Sequence, residues 1–384
     1  MAEAGLAGRK GLPAAVEVAV VGGGPAGLAA AIAARQAGFD RVAVFERFHP
    51  PIDKACGEGL MPDGVACLRA LGLRPESLAG RPFLGIRYLD GELAAEGRFP
   101  GEPGLGVRRL ALHQALAERA EEIGVELHWG VKVRGYREPK LELEGGEVEA
   151  RWVVAADGLH SPLRASAGLA GEPTAARNER RFGVRRHFRL APWSDFVEVY
   201  WHDSSEAYVT PVSPDEVGVA ILWSGGTARF DSLLERFPAL ARRLAGAPAA
   251  SKDRGAGPLL QRVREVTRGR LALLGDAAGY LDAITGEGLS LAFHQALELA
   301  ECLRQGDLAR YRRRHAAIGR LPNAITRLVL ALERHPKLRR RAIAALAAEP
   351  ELFNRLVGIH SRALPLSQLP VPGVLRLAWQ LAWG

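Results

Sequence analysis

Hydrophobic positions near the N-terminus follow the pattern of a strand, a helix and a second strand. Val16–Val21 is a continuous apolar run, which predicts a buried strand. Ala26–Ala37 is rich in alanine and is followed by Gly38, which is typical of a helix and its C-terminal end. Val42–Phe45 is a second short apolar run. Because a helix connects the two strands, this β-α-β unit predicts a parallel sheet.

The segment that follows combines a loop, a helix and further strands. Residues 51–64 contain several glycines without a clear hydrophobic period, which predicts an extended loop. Leu112–Ile123 has apolar residues near positions 112, 116, 120 and 123, as expected for an amphipathic helix. Apolar patterning then predicts strands at Val125–Val133, Lys140–Ala150 and Trp152–Ala156, the second of them as a hairpin that turns at Gly145–Gly146.

The pattern changes in the middle of the chain and then changes back. Arg181–Trp223 alternates valine and aromatic residues with proline and glycine turns, which is typical of antiparallel sheet. Leu271–Leu274 is again a short buried strand, and the long helix Gly288–Leu303 follows. The chain from about residue 308 is helical, with breaks expected at the prolines at 322, 336, 350, 365, 370 and 372. The return to a buried strand predicts that the middle sheet is inserted into an α/β domain.

Composition and charge exclude several classes of protein. The 384 residues are 48% hydrophobic and 24% charged, so a large core is expected and a disordered chain is not. The net charge of +8 fits an arginine-rich surface, an anionic cofactor or an anionic membrane. Basic stretches interleaved with aromatics and zinc-finger or helix-turn-helix spacings are absent, which argues against a nucleic-acid partner. No run of 18 apolar residues and no signal-peptide core in residues 1–15 exist, so we expect a cytoplasmic location.

The cysteines are Cys56, Cys67 and Cys302. Their number is odd, their spacing is irregular and no C-x-x-C pair occurs, so neither a disulfide framework nor a metal site is expected. A reducing compartment fits this usage.

A glycine-rich turn lies between the first strand and the first helix. Gly22, Gly24 and Gly27 have the G-x-G-x-x-G spacing, with Pro25 and Ala26 inside it. The first glycine allows a tight turn, the second lets a pyrophosphate approach the backbone, and the third lets helix and strand pack closely. The helix N-terminus then presents free N–H groups to the phosphates. The turn is therefore a candidate dinucleotide site.

An acidic residue closes the second strand. Glu46 lies roughly 20 residues past the glycines, where this motif binds a ribose hydroxyl. Arg47 follows it and is a further candidate for cofactor binding. The alternative for Glu46 is a surface charge. The turn and this acid alone do not distinguish FAD from a nicotinamide dinucleotide.

Two later motifs follow predicted strands. Ala155–Arg164 is AADGLHSPLR, and Leu273–Gly279 is LLGDAAG, with Gly286–Gly288 and a helix behind it. With the glycine turn, they resemble the ordered GxGxxG, DGxxSxxR and GD motifs of the para-hydroxybenzoate-hydroxylase-like flavoprotein superfamily, over residues 16–305. The resemblance implies an α/β fold with a Rossmann-like FAD-binding domain, an inserted antiparallel β-sheet substrate domain and a C-terminal helical region.

Domain boundaries follow from the resemblance and the strand pattern. The FAD-binding domain is expected to be discontinuous, at residues 1–80, 105–175 and 260–315. The antiparallel-sheet substrate domain is expected at 81–104 and 176–259, and the helical region at 316–384.

The resemblance implies roles for residues of the later motifs. Asp276, with Gly275 beside it, is expected near the ribityl–phosphate region of FAD. Arg109 is expected near the FAD phosphates, and Arg108 is the alternative. The helix turn that faces the flavin pyrimidine edge is expected to use backbone N–H groups to stabilise negative charge on the reduced flavin; its residues are Gly286, Gly288 and Leu289.

The central motif has two interpretations. Asp157, Gly158 and Arg164 belong to a motif that is thought to serve FAD and the nicotinamide nucleotide together. The alternative for Asp157 is a carboxylate that stabilises a turn at the end of a strand.

The loop Asp53–Leu60 resembles the K-x-C-G-x-x-L pattern of the geranylgeranyl-reductase-like branch of the superfamily. In the superfamily this segment lies along the flavin ring, so the loop supplies further cofactor-binding candidates, which are Lys54, Ala55, Cys56 and Gly57. Lys54 and Cys56 are also catalytic candidates. Cys56 is either a proton donor or an inert thiol. Lys54 and Glu58 either bind polar substrate groups or form a salt bridge within the loop.

A strand pair of the middle sheet resembles the active-site strands of the same branch. It consists of Glu206–Pro211 and Val217–Val219, and Tyr208 is its catalytic candidate. The usual aromatic pattern is not met, because Val209 and Thr210 replace larger groups. Ala283 likewise stands where many members of the superfamily have a proline.

The branch contains double-bond reductases of polyprenyl chains and hydroxylases of aromatic or polyketide substrates, and the tryptophan motif of flavin halogenases is absent. The first hypothesis is an FAD-containing monooxygenase of a hydrophobic aromatic, polyketide or lipid-like small molecule, with NADPH or NADH as reductant. The second is an ene-reductase of isoprenoid chains. The third is a flavin-stabilised binding protein without turnover. The oligomeric state stays open.

The C-terminal part carries two basic clusters and an apolar end. The clusters are Arg310 with 312–314, and Lys337 with 339–341; the apolar end is Val374–Trp383. Basic residues beside tryptophan and leucine are found in proteins that bind membranes peripherally. The alternative is a helical cap that closes the substrate cavity.

Overall fold

The computed structural model describes residues 11–172 and 180–370 together with Gly373, and the chain folds as the α/β protein that the sequence predicts. The apolar end at Val374–Trp383 lies outside the described residues. The strands are β1 (Ala15–Val21), β2 (Val42–Glu46), β3 (Gly59–Leu60), β4 (Gly80–Phe83), β5 (Gly85–Asp90), β6 (Leu93–Arg98), β7 (Gly104–Val107), β8 (Glu126–Trp129), β9 (Val133–Arg137), β10 (Lys140–Leu143), β11 (Gly146–Ala155), β12 (Arg181–Arg189), β13 (Val197–His202), β14 (Ser205–Pro211), β15 (Glu216–Ser224), β16 (Arg254–Ala256), β17 (Thr267–Arg268) and β18 (Leu271–Leu273).

Helices pack on the first sheet and on the second sheet, and further helices form the C-terminal part. They are α1 (Pro25–Gln36), α2 (Pro62–Ala70), α3 (Arg109–Glu122), α4 (Pro162–Ser166), α5 (Phe230–Leu234), α6 (Pro238–Leu244), α7 (Gly288–Gln305), α8 (Leu308–Arg334), α9 (Pro336–Ala348) and α10 (Pro350–His360). Short 3-10 helices span Pro75–Ser77, Gly275–Ala278 and Leu366–Gln368.

The predicted β-α-β unit forms the centre of a sheet that has eight strands within the described residues, with the main order β17-β18-β11-β1-β2-β8. β1 pairs in parallel with β2 and with β11, and β18 pairs in parallel with β11. β18 thus returns to the first sheet after the middle of the chain, as the buried run at Leu271 predicts. The hairpin at Gly145–Gly146 is also confirmed, since Leu143 pairs with Gly146. Its second arm continues to Ala155 as one strand, where the sequence predicts two.

The middle of the chain forms a second sheet of seven described strands, in the order β16-β12-β15-β14-β13-β5-β6. Most pairs are antiparallel, as predicted, but β5 pairs in parallel with β13. The segment 81–104 therefore joins this sheet through β5 and β6, while β4 and β7 pair with β3 in a separate three-stranded sheet. Alternating apolar and polar positions in the sequence indicate a half-buried strand, but they do not show which strand pairs with it.

The loop predicted at residues 51–64 is shorter than expected. It ends at β3, and α2 begins at Pro62. Proline is favoured at the first helical position because its missing N–H would have no partner there in any case. The glycines and prolines therefore end the loop and start a helix.

The C-terminal prolines do not all break helices. Pro336 and Pro350 begin α9 and α10, but Pro322 lies inside α8. Pro322 has no N–H for the carbonyl of Ile318, four residues before it. The Arg362 Nη2 atom donates to that carbonyl instead, at 2.6 Å. A side chain from beyond α10 thus replaces the lost backbone hydrogen bond, and the helix continues.

A buried arginine connects the second sheet to the C-terminal helices. Arg181 on β12 contacts the carboxylates of Glu206 on β14, of Asp282 at 2.8 Å and of Glu333 on α8 at 3.1 Å. All four side chains are nearly inaccessible to solvent. Three carboxylates around one guanidinium leave excess negative charge in a region of low dielectric constant, which favours a proton on one of them. Burial raises the pKa of Glu206 to about 8, against the opposing effect of the Arg181 charge.

Within the described residues, the helices include none that is long and apolar enough to cross a membrane.

The buried carboxyl of Glu206 predicts a pH-dependent stability. Its pKa in the folded protein is raised above that of the unfolded chain, so its contribution is complete at pH values below the unfolded pKa. The contribution is lost as the pH rises toward 8. Between pH 5 and pH 9, wild type should lose on the order of 3 kcal/mol of unfolding free energy relative to Glu206→Gln. Urea unfolding of both proteins at these pH values measures the difference.

The matched control is Glu142→Gln, because Glu142 forms a surface ion pair with Arg137. Its stability curve should run parallel to that of wild type. Parallel curves for Glu206→Gln and wild type would show that Glu206 is not protonated in the folded protein.

Candidate functional site

A cavity of about 880 Å³ extends from the glycine turn to the C-terminal helices. Its first end is formed by the turn after β1, the end of β2 and the start of α7. Its walls are the loop that follows β2 and one face of the second sheet. Its other end lies among α8, α9 and α10. Nearly all residues predicted for the site line this single cavity; Gly27 does not.

The glycine turn has no room for side chains at two of its three motif glycines. A Cβ atom on Gly22, whose φ is +106°, would lie 2.4 Å from the carbonyl oxygen of Ala156. A Cβ atom on Gly27 would lie 1.9 Å from the carbonyl oxygen of Gly22. At Gly24 the nearest atom is Arg109 Nη2, at 3.7 Å. Gly22 and Gly27 are therefore required by packing, whereas Gly24 leaves its backbone open to a ligand in the cavity.

Glu46 holds the turn from the end of β2. Its Oε2 atom accepts a hydrogen bond from Gly23 N at 2.8 Å, and its Oε1 atom accepts one from Phe48 N at 3.0 Å. The side chain is buried and lines the cavity, so it is not a surface charge. Carboxylate oxygens have further lone pairs, which a ribose hydroxyl can use. Arg47 also lines the cavity, and its guanidinium lies 4.6 Å from the Phe48 ring centre.

Basic groups lie beside the turn. Arg109 is buried at the start of α3, and its Nε atom has no hydrogen-bond partner among the described residues. Lys54 lines the cavity nearby, where burial and the charge of Arg109 lower the pKa of its ammonium. Arg108 donates to Glu216 at 2.5 Å and does not line the cavity. The geometry therefore favours Arg109 over Arg108 as the arginine for a phosphate.

Asp157 and Arg164 of the central motif have different roles. Asp157 lines the cavity; its Oδ2 atom accepts from Leu163 N at 3.1 Å, while its buried Oδ1 atom has no partner among the described residues. Burial raises the pKa of this carboxyl. Arg164 does not line the cavity. Its guanidinium donates to the carbonyls of Leu159, Asp276 and Ala277 and to Gln261, at 2.8–3.3 Å. Arg164 thus holds the second and third motifs together instead of facing a ligand.

The third motif reaches the cavity through Gly275 and Asp276. Burial raises the pKa of the Asp276 carboxyl, opposed by the charges of Arg109 and Lys54. The first turn of α7 lies beside it, and no side chain caps the N-terminus of this helix. Its free N–H groups can therefore stabilise negative charge in the cavity. The residues of this turn that line the cavity are Gly286, Gly288 and Leu289.

The loop Asp53–Leu60 lies along the cavity with Ala55, Cys56 and Gly57 exposed to it. Burial raises the pKa of the Cys56 thiol, which keeps it protonated at neutral pH. Glu58 is not free for substrate: its Oε1 atom accepts from Arg109 N at 2.8 Å and its Oε2 atom forms a short hydrogen bond with His187. The sequence leaves open whether Glu58 binds a polar substrate group or forms a salt bridge within the loop. In the structure Glu58 forms a structural contact, but with the second sheet and not with Lys54.

Tyr208 projects from β14 into the cavity wall. Its hydroxyl donates to the carbonyl of Ile284 at 2.6 Å, and burial raises its pKa well above the ordinary value. This hydrogen bond connects the second sheet to the loop before α7. Ala283, which stands at the family's proline position, lies in the same loop and lines the cavity.

The far end of the cavity was not predicted in detail from the sequence. It is apolar, and much of it comes from helices beyond the three motifs. The helical residues that line it include Ile325, Leu328, Leu332, Leu346, Phe353 and Leu356. Their spacing predicts helices, but contact with the cavity depends on how those helices pack. Among the described residues, no group of three or more His, Cys, Asp or Glu side chains is placed to hold a metal ion.

Comparisons with known proteins agree with this geometry. The chain is 31% identical to menaquinone reductase of Mycobacterium tuberculosis, over 77% of this chain and 78% of that protein. It is 29% identical to a probable 2-heptyl-3-hydroxy-4(1H)-quinolone synthase of Rhodococcus erythropolis, over 74% and 78%. It is also 29% identical to digeranylgeranylglycerophospholipid reductase 1 of Methanopyrus kandleri, over 72% and 77%.

The fold is shared with solved flavoproteins. The structure of p-nitrophenol 4-monooxygenase from Pseudomonas putida superimposes with a TM-score of 0.75 at 21% identity, over 89% of this chain and 97% of that one. The family model of the FAD binding domain matches residues 15–307, which contain all three motifs. The chain belongs to this family of FAD-dependent oxidoreductases and is a member of the para-hydroxybenzoate-hydroxylase-like superfamily, with both geranylgeranyl-reductase-like and monooxygenase relatives.

Proposed function

We propose that this protein is an NAD(P)H-dependent monooxygenase that hydroxylates an oxygen-bearing aromatic ring carrying a long apolar chain. The observation that carries the proposal is the cavity, which joins a polar cradle for a dinucleotide to an apolar chamber among α8, α9 and α10. A cofactor and a lipophilic substrate would therefore share one continuous space.

The residues of the cradle fit FAD. Gly24 leaves the backbone open to a pyrophosphate, and the guanidinium of Arg109 lies beside it, with its Nε atom unpartnered among the described residues. Glu46 lines the cavity and can accept a hydrogen bond from a ribose hydroxyl, and the free N–H groups at the N-terminus of α7 can stabilise an electron-rich edge of the flavin ring. Bound FAD would supply the redox chemistry by taking hydride from the nicotinamide nucleotide and activating dioxygen. The chain's own residues bind the cofactor, orient it and exclude water.

The chamber suits a ring with a chain. Tyr88, Tyr208 and Tyr280 stand in its wall near the loop before α7 and can pack against a flat ring. Leu332, Leu346 and other apolar side chains behind them can enclose an alkyl or prenyl chain. The relatives named for menaquinone and for 2-heptyl-3-hydroxy-4(1H)-quinolone point to the same substrate class, a ring compound with an apolar chain.

The apolar lining also supports oxygenation over simple reduction. Water in a flavin site promotes loss of activated oxygen, so an oxygenase needs a dry cavity. Most of the accessible surface of this cavity is apolar, and polar groups of its wall such as Glu58 and the Tyr208 hydroxyl are hydrogen-bonded to the protein.

An ene-reductase of isoprenoid chains is the second candidate. The observation that favours it is the protonated thiol of Cys56 on the loop with the K-x-C-G pattern, since alkene saturation needs a proton donor beside the hydride. Two of the relatives are named reductases.

The cradle predicts the effect of a single methyl group on cofactor binding. Gly24→Ala should fold, because its Cβ atom meets nothing closer than 3.7 Å and its φ of −75° suits alanine. The methyl group would occupy the space of a pyrophosphate, and such overpacking costs about 1–3 kcal/mol, so FAD affinity should fall roughly tenfold or more. Titration of the apoprotein with FAD, followed by flavin fluorescence, measures this.

Gly226→Ala is the matched control, because its Cβ atom meets nothing within 4 Å and it lies outside the cavity. It should bind FAD like wild type. Equal affinity of Gly24→Ala and Gly226→Ala would place the pyrophosphate elsewhere.

The reaction type is read from the product. Purified FAD-loaded protein is incubated with NADPH or NADH, isotopically labelled dioxygen, and either 2-heptyl-4(1H)-quinolone or menaquinone. We expect a ring-hydroxylated quinolone that carries one labelled oxygen atom, identified by mass spectrometry. A menaquinone product that keeps two added hydrogen atoms on an isoprenyl double bond after air reoxidation of its quinone ring, and that carries no label, would instead establish the ene-reductase. Turnover rates with NADPH and NADH identify the preferred reductant.

Cys56 separates the two candidates independently. Cys56→Ser should keep kcat within about threefold of wild type if the thiol only lines the flavin site of a monooxygenase. It should lose about a hundredfold if the thiol donates the proton in alkene reduction. FAD absorbance of the variant serves as the control for cofactor binding. A hundredfold loss with intact FAD binding would contradict the monooxygenase proposal.

A further inference from the structure

The cavity reaches the protein surface on α8. Leu328 lines the cavity and is nevertheless 60% exposed, the largest exposed fraction among the large hydrophobic residues described. A side chain can satisfy both conditions only at a mouth. Its neighbours toward the interior, Ile325, Val329 and Leu332, line the cavity without being exposed to the same degree.

Around the circumference of α8, the side chains pass in a regular order from those that line the cavity to those that face solvent. With about 100° of rotation per residue, Ile325 and Leu332 lie on one side of Leu328, and Ala324 and Ala331 lie on the other. Beyond these alanines the next side chains are arginines. They recur every seven residues, which on a helix keeps them on nearly the same face; we call Arg320, Arg327 and Arg334 the α8 arginine stripe.

The α8 arginine stripe is exposed, and no ion pair is formed by its members with any of the described residues. The one acidic residue of α8, Glu333, is buried against Arg181, and α9 has no acidic residue. The stripe therefore presents positive charge beside the apolar mouth without local neutralisation.

The two basic clusters expected from the sequence differ from the stripe, because several of their arginines form ion pairs. Arg312 and Arg314 pair with Glu265 and Glu298, at 3.7 Å and 3.1 Å. Arg339 is buried against Asp90 at 2.8 Å, so the second cluster is not a continuous surface patch. The apolar end at Val374–Trp383 lies outside the described residues. Neither cluster therefore provides a continuous row of exposed arginines beside the mouth, as the stripe does.

We propose that the α8 arginine stripe docks on an anionic phospholipid surface and that Leu328 marks the mouth through which a membrane-dissolved substrate enters the cavity. Positive charge attracts the anionic headgroups, while Ala324, Leu328 and Ala331 offer an apolar strip to the acyl boundary. A nucleic acid would use the charge but not the apolar strip, and the strip is continuous with the cavity. The docking surface itself does not depend on the proposed reaction; only the role of the mouth rests on a lipophilic substrate.

The first test measures binding to vesicles. Full-length FAD-loaded protein is sedimented with phosphatidylcholine vesicles with or without phosphatidylserine. Wild type should bind the anionic vesicles, and salt should weaken binding. The variant Arg320→Gln/Arg327→Gln/Arg334→Gln should lose roughly a hundredfold in partition coefficient, since each basic residue near an anionic surface contributes roughly a factor of five.

The matched control removes three other exposed arginines, as Arg74→Gln/Arg236→Gln/Arg242→Gln, and changes the net charge equally. It should bind almost like wild type. Equal losses in both variants would show a general charge effect and overturn the proposal. The proposal would also be overturned if wild type and the stripe variant both bound vesicles of phosphatidylcholine alone. The same holds if wild type bound no vesicles.

The second test separates docking from chemistry. The stripe variant should turn over a water-soluble, short-chain substrate at the wild-type rate but should lose about tenfold or more with a long-chain substrate dissolved in anionic vesicles. Equal turnover of wild type and variant in vesicles would contradict the mouth. If neither protein turns over any substrate while wild type still binds vesicles through the stripe, the proposed reaction fails and the docking surface stands.

Discussion

The close approach of backbone at the glycine turn is the constraint on which the rest of the structure depends. Gly27 lies directly on the carbonyl of Gly22, and Gly22 lies on the carbonyl of Ala156. These contacts bring α1 against the ends of β1 and β11. They also place the N-terminus of α1, the end of β2 and the 3-10 turn after β18 around one space. The cradle is thus a consequence of how the central strands and the first helix pack.

Buried polar contacts extend this arrangement to the second sheet and the helices. Arg164 joins the central motif to the loop after β18, and Arg181 joins β12 to the loop before α7 and to α8. Glu58 and His187 join the loop Asp53–Leu60 to β12. Burying such charges is costly unless each is paired, so these pairs specify one relative position of the parts. Arg181 holds α8 against the second sheet in this way, while α9 and α10 pack on β6 of that sheet through apolar side chains and close the far end of the cavity.

The sequence predicts the fold where its signals are local. A strand, a glycine turn and a helix follow one another directly, so the cradle residues Gly22, Gly24 and Gly27 and the acid Glu46 can be found without a structure. The continuation of α8 through Pro322 cannot, because the carbonyl that proline leaves free is satisfied by Arg362, which lies 40 positions later. The partners of Arg181 come from β14, a loop and α8, and each is an ordinary acid in its own segment. Leu328 shows the same limit, since only packing makes a helical leucine the rim of a cavity.

The central claim is that one cavity holds the cofactor at the glycine turn and the substrate chain among the C-terminal helices. A crystal structure of the FAD-loaded protein with bound 2-heptyl-4(1H)-quinolone tests this claim most directly. It should show the pyrophosphate against Gly24, the quinolone ring beside Tyr208 and the heptyl chain directed toward Leu332 and Leu346. A chain that leaves the cavity on another side, or a pyrophosphate bound away from Gly24, would contradict the claim.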